Sequence, residues 1–145
     1  MAKLIAGGGN PPMYSKREGL KLFNKTRYSP WRAEHVIKKD KQLAVFIPIA
    51  SREKDGGWIR IREGTTCINI PDENSKNFTQ YAVGRALRGT KQDKNAKYAL
   101  FVRRTRNAKY EFYGVFSRIQ SGEDDYSTYF KWESDELELN EWQKE

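Results

Sequence analysis

The sequence predicts an α+β fold: a strongly curved, mostly antiparallel sheet or small β-barrel of about six strands with one or two helices. Three observations lead there. Short apolar or alternating runs recur from Leu43 to the end of the chain. Helical periodicity is confined to two stretches before residue 90. Strands and helices do not alternate in the order that a doubly wound parallel sheet needs.

Residues 1–19 are expected as a flexible N-terminal arm, or one packed down on a single domain over residues 20–145. Gly7-Gly8-Gly9 followed by Asn10-Pro11-Pro12 is punctuation that no helix or central strand tolerates. No Gly-Lys-Ser/Thr follows, so the glycines do not form a phosphate loop. Leu20, Leu22 and Phe23 begin either a short strand or a helical turn. Ser29-Pro30 has the form of a helix start, with Ser29 as N-cap, and predicts a short helix over Pro30 to Lys38.

Leu43 to Ile49 is a continuous apolar run of strand length, in which Pro48 points to an edge or a bulge. Asp55-Gly56-Gly57 is a turn. Trp58 to Arg62 alternates, with Ile59 and Ile61 on one face and Trp58, Arg60 and Arg62 on the other. Thr66 to Ile70 alternates again. Residues 77–88 predict a helix whose face carries Phe78, Tyr81, Ala82 and Arg85, closed by Gly89 and weakened by Gly84. Tyr98 to Arg103, Tyr110 to Arg118 and Tyr126 to Trp132 are three further alternating strands, the first two joined by a hairpin-length connection. Tyr110, Phe112, Gly114 and Phe116 share a face in that pattern, and Tyr113 lies opposite. Leu137 to Trp142 ends the chain as a short strand or helix.

Charge is partitioned along the chain. The 145 residues hold 27 Lys and Arg against 19 Asp and Glu, a net +8. From Ile119 onward, nine acids face only Lys131 and Lys144, for −7, which leaves +15 on residues 1–118. A body this basic favours polyanions, because each neutralised phosphate releases condensed counterions. The acidic end is a candidate for folding over the basic surface, or for contacting a second copy or another protein. No apolar run approaches the roughly 20 residues of a membrane helix. One Cys and one His argue against a disulfide framework and against structural zinc. A soluble, cytoplasmic protein without cofactor or metal is expected.

Two constellations fit nucleic acid. Trp58, Arg60 and Arg62 place an aromatic ring and two guanidinium groups on one strand face, able to stack on bases and grip phosphates. The hairpin holds Arg103, Arg104, Arg106 and Lys109 on a short connection, where Arg supplies bidentate contacts to guanine or phosphate. Most aromatics of the last strands belong to the core. Tyr113 and Tyr129, on the opposite faces, are the candidates for exposed stacking. Signals for catalysis are poor. His35 has no patterned partner and reads as a surface or capping residue, and Cys67 reads as a small buried one. Glu53, Asp55 and Glu63 near Lys54 lack the strand-borne acid followed by Glu-x-Lys of a metal nuclease, so no catalytic residue is assigned.

The runs Tyr98-Ala99-Leu100-Phe101-Val102-Arg103, Tyr110-Glu111-Phe112-Tyr113-Gly114-Val115-Phe116 and Phe130-Lys131-Trp132 resemble the end of small β-barrel modules attached to restriction-type helicases and nucleases. More loosely, they resemble the PUA and SRA-like barrels that read modified bases. In this pattern Gly114 marks a bulge or bend where the barrel coils. The resemblance implies nucleic-acid recognition over residues 98–133 without fixing the base. The reading is a non-enzymatic nucleic-acid-binding module from a phage or restriction-type defence system, with DNA preferred to RNA. A phage structural or anti-defence protein acting through protein contacts comes second, and a metal-dependent nuclease third.

Overall fold

Two neighbouring strands organise the molecule, and both alternate between two buried faces. In β4 (Gln42–Pro48), Ala44 and Phe46 enter one core cluster while Leu43, Val45 and Ile47 enter another. In β9 (Lys97–Arg103), Ala99 and Phe101 join the first cluster, and Tyr98, Leu100 and Val102 the second. Strands covered on both faces read as continuous apolar runs, as these do. They pair in parallel, from Gln42 opposite Lys97 to Pro48 opposite Arg103.

The structure is a computed structural model. It describes residues 3–30, 34–38, 41–48, 51–52, 58–59, 66–69, 78–82, 96–103, 109–119 and 127–143. The other elements are β1 (Lys3–Ile5), β2 (Met13–Tyr14), α1 (Lys16–Lys21), β3 (Glu34–Lys38), β5 (Ser51–Arg52), β6 (Trp58–Ile59), β7 (Thr66–Asn69) and β8 (Phe78–Ala82), followed by β10 (Tyr110–Ile119), β11 (Ser127–Ser134), β12 (Glu136–Glu138) and α2 (Leu139–Trp142). The main sheet runs β3-β4-β9-β10-β11-β8-β7, with β2 added beside β10. Every pairing in it except β4 with β9 is antiparallel. β7, at the far end, returns to within 8 Å of β4, so the mixed sheet curls into a half-barrel. The expected α+β class with a strongly curved sheet is the one observed. Among the described residues, no helix is long and apolar enough to cross a membrane.

Phe23 and Leu20 after and within α1, Leu4 of β1, Leu137 of β12, and Leu139 and Trp142 of α2 cover the first face. Its centre is a ring cluster: Phe46 stacks on Phe101 at 4.5 Å, and Tyr110 meets Phe46 edge-on at 5.4 Å. Such pairs add about 0.5–1.5 kcal/mol each beyond their buried area. The second face is the inside of the curl.

Several expectations are corrected. In the helix expected over residues 30–38, residues 34–38 form strand β3, in which His35 and Ile37 are buried and alternate with more open Glu34, Val36 and Lys38. Pairing with β4 satisfies its backbone and overrides the local helix-start signal. His35, expected on the surface, is 4% exposed and packs edge-on between Tyr28 and Phe46. In the helix expected over 77–88, residues 78–82 form β8, hydrogen-bonded to both β11 and β7. Phe78, Thr79 and Tyr81 suit a pleated surface, and two ladders outweigh one turn of helical periodicity. β4 is an interior strand despite Pro48. Among the described residues, the ladder with β3 ends at Val45, three residues before Pro48.

Gly114 is the bulge that its position in the strand suggested. With φ at +134°, it shifts the β9–β10 register between Phe112 and Gly114. One extra residue reverses the parity of every side chain beyond it. Phe112 and Val115 therefore face the first cluster, while Tyr113 and Phe116 face the second, which separates Phe116 from Tyr110 and Phe112.

Candidate nucleic-acid interface

The segment from Ser15 to Lys25 is capped at both ends. Glu18 N–H donates to Ser15 Oγ at 3.1 Å, and Ser15 N–H donates back to Glu18 Oε1 at 3.0 Å, the reciprocal pair of a capping box. At the other end Asn24 adopts φ +60°, while Lys25 N–H donates to the Leu20 carbonyl and Asn24 N–H to the Lys21 carbonyl. These are the two bonds of a Schellman turn. Leu20 and Phe23, both 0% exposed, anchor the segment on the sheet, and Gly19 lets α1 approach Phe46 closely. Its outer face presents Arg17 and Lys21, and the chain beyond it presents Arg27. Half-buried Lys16 donates through Nζ to the Pro30 carbonyl at 3.1 Å. The basic run from Lys16 to Arg27 is not among the residues singled out from sequence. Ser15-Lys16-Arg17-Glu18, an S-x-x-E helix-start signature, was the signal that could have found it.

The foot of the basic hairpin lies against this segment. Lys109 is exposed, and its Nζ sits 3.3 Å from Glu18 Oε1. β2, which leads into α1, pairs Tyr14 with Tyr110. The hydrogen bonds from Ser15 N–H and its hydroxyl, then Lys109, hold the Glu18 carboxyl below its ordinary range. Arg103 differs from expectation. It is 7% exposed, and its guanidinium carbon lies 5.5 Å from the centre of the Tyr110 ring, so it packs at the base of the hairpin. Tyr113, expected as an exposed platform, is also 7% exposed and stacks on Phe116 at 6.1 Å inside the curl.

Arg60, Arg62, Arg104 and Arg106 lie outside the described residues, as do Glu53, Asp55 and Glu63. Trp58 is placed by the backbone alone, opposite Arg52 in the β5–β6 pair. Trp132, one of the last-strand aromatics of which most were expected in the core, is 38% exposed, and its indole N–H donates to Asp135 Oδ1 at 3.1 Å. Its neighbours Glu133 and Asp135 make it a poor platform for a polyanion.

The acidic end is built into the fold. β12 pairs with β1, and Lys3 Nζ lies 3.4 Å from Glu138 and 3.6 Å from Glu136. Lys38 Nζ donates to the Glu141 carbonyl at 2.7 Å. Glu133 accepts from the Ser117 hydroxyl at 2.6 Å, which lowers its pKa, and lies 3.9 Å from Lys97. Within the expected arm, Lys3–Ile5 and Met13–Tyr14 pair as β1 and β2 with β12 and β10, while residues 7–10 between them are exposed. Between β1, Pro12 and Phe112 lies a mainly apolar cavity of about 190 Å³. Among the described residues, no three His, Cys, Asp or Glu side chains cluster as metal ligands do.

No protein-family model matches the sequence, and no curated protein is significantly similar to it. Among solved structures, the fold is similar to that of the 5-hydroxymethylcytosine-specific restriction enzyme AbaSI, with a TM-score of 0.60 at 14% identity. The match takes in 90% of this chain and 40% of the enzyme, so this chain spans well under half the enzyme's length. At that identity the likeness is one of fold: a chain built on a curled mixed sheet resembles part of a restriction enzyme in its backbone arrangement.

Proposed function

We propose that this chain is a nucleic-acid-binding module that performs no chemistry itself, gripping the phosphate backbone through Arg and Lys. The observation that carries this reading is the +15 charge on residues 1–118, set on a curled sheet similar to part of a restriction enzyme. Arg60, Arg62, Arg104, Arg106 and Lys109 are the proposed phosphate contacts, with Trp58 available for stacking. The burial of Arg103 and Tyr113 gives those two a supporting role, holding the hairpin foot and the bulge in place.

The test is fluorescence anisotropy with labelled DNA and RNA, single- and double-stranded, over a salt series. Affinity is expected to fall by orders of magnitude between about 50 and 200 mM salt, and a flat profile overturns the reading. Because the structural neighbour is named for 5-hydroxymethylcytosine, one duplex carries that base beside an unmodified control. Plasmid left intact with Mg²⁺ or Mn²⁺ separates this reading from a nuclease. A protein-contact reading draws on Ile5 and Met13, which are 58% and 43% exposed. Light scattering that finds a salt-sensitive oligomer without nucleic acid favours it.

A further inference from the structure

We infer that the exposed face of residues 16–27, led by Arg17, Lys21 and Arg27 and continuous with the hairpin foot at Lys109, is a contact surface for a nucleic-acid phosphate backbone. The inference rests on the function proposed above and adds a surface to it, on different residues from Trp58, Arg60 and Arg62.

Composition comes first. Residues 16–27 hold Lys16, Arg17, Lys21, Lys25 and Arg27 and a single acid, Glu18. That acid is already engaged, accepting from Ser15 at one side and facing Lys109 at 3.3 Å on the other. Pairing then separates this face from the other end of the molecule. Lys3 and Lys97 lie against carboxylates of the acidic end, whereas among the described residues Arg17, Lys21 and Arg27 have no carboxylate partner. Their charges are open to an external anion.

Geometry favours an extended polyanion. Arg17 and Lys21 are four residues apart on the outer face of α1, about 6 Å along its axis. Arg27 lies past the Schellman turn, and Lys109 joins from β10. Duplex DNA carries one charge per roughly 1.7 Å of axis, so a row of cations on this scale meets several phosphates at once. Rigidity adds to it: the cap, the turn, and the anchors Leu20 and Phe23 fix the backbone, so fewer degrees of freedom are lost on binding. A lipid surface fits less well. The segment's large apolar residues Leu20 and Phe23 face the core, which leaves no apolar stripe to enter a bilayer.

The experiment compares two triple variants of equal charge. Arg17→Gln/Lys21→Gln/Arg27→Gln removes the proposed surface, and Lys3→Gln/Lys97→Gln/Lys131→Gln removes three exposed lysines elsewhere. Circular dichroism and melting confirm that both fold. At about 0.1 M salt, the first is expected to bind a mixed duplex on the order of 10²-fold more weakly than wild type, with the log–log salt slope reduced by about two to three. The second is expected to retain most of the affinity. If wild type binds with a steep salt slope and the first variant stays within about twofold of it, this surface is refuted while the function stands. Equal weakening by both triples also refutes it, because total charge is then acting. A wild type that ignores nucleic acid but binds vesicles containing phosphatidylserine overturns both readings.

Discussion

Replacing Gly19 with Ala sets two effects of opposite sign against each other at the centre of the basic segment. In an exposed helix the change stabilises by up to about 1 kcal/mol, because glycine loses more backbone freedom on folding. Here a Cβ would lie 2.6 Å from Phe46 Cε2 and 2.7 Å from Cζ, against the 3.5–4.0 Å of an ordinary carbon contact. Phe46 has nowhere to withdraw. It is 2% exposed, stacked on Phe101 at 4.5 Å and flanked by Tyr110 and His35. Overpacking of this kind costs about 1–3 kcal/mol, so its upper range exceeds the helix gain and leaves a net loss of about 1–2 kcal/mol. Urea unfolding is expected to show a lower midpoint at unchanged slope, with a melting temperature lower by about 3–7 °C. In a Phe46→Leu background the obstruction is gone, and Gly19→Ala should become neutral or stabilising. A midpoint equal to or above that of wild type in the Phe46 protein would refute the close approach of α1 to the sheet.

Other perturbations test other parts of the structure. Gly114→Ala forces a side chain into φ +134° and brings its Cβ 3.0 Å from the Ser134 carbonyl, so a loss of about 1–3 kcal/mol is expected in thermal unfolding. Ser15→Ala removes the cap and should lower stability by about 1 kcal/mol. Glu18 titrates below its ordinary 4.5 in the folded state, so its contribution is present above that pH and is lost as pH falls through the folded value. The stability gap between wild type and Glu18→Gln should therefore close on acidification below about pH 4.5, and a gap independent of pH contradicts the stabilisation of the Glu18 carboxylate by Ser15 and Lys109. Trp142→Ala, at a residue 6% exposed, should cost about 3–5 kcal/mol, and deleting residues 134–145 should abolish the cooperative transition. A truncated chain that melts like wild type would mean that the acidic end is no part of the core.

How much was legible depended on how local the information was. β9 and β10 could be read almost to the residue, because β9 is a continuous apolar run of strand length and β10 an aromatic-rich run, each bounded by polar connections. β8 could not: Phe78, Tyr81 and Ala82 suit one turn of helix as well as a strand, and only β7 and β11 on either side decide between them. His35 could not be placed either, since the rings that enclose it come from Tyr28, before β3, and from Phe46 on the next strand. The site was read least completely. Sequence shows that Arg103 and Tyr113 are a cation and an aromatic, but whether either reaches solvent depends on Tyr110 and on the bulge.

By itself, the amino-acid sequence determined the β-rich class, strands β4, β7, β9, β10 and β11, the bend at Gly114 and the division into a +15 body and a −7 end. Periodicity, a single glycine and a count of charges are local properties that a chain carries before it folds. Tertiary structure decided the parallel pairing of β4 with β9, the turning of Phe116 away from Phe112, and the meeting of Glu18 with Lys109. It also decided that the acidic end is clamped by β1 instead of lying free. Each of these depends on which distant segment supplies the missing ladder partner or fills the facing hole. That choice is set by the whole core at once, and no window of sequence contains it.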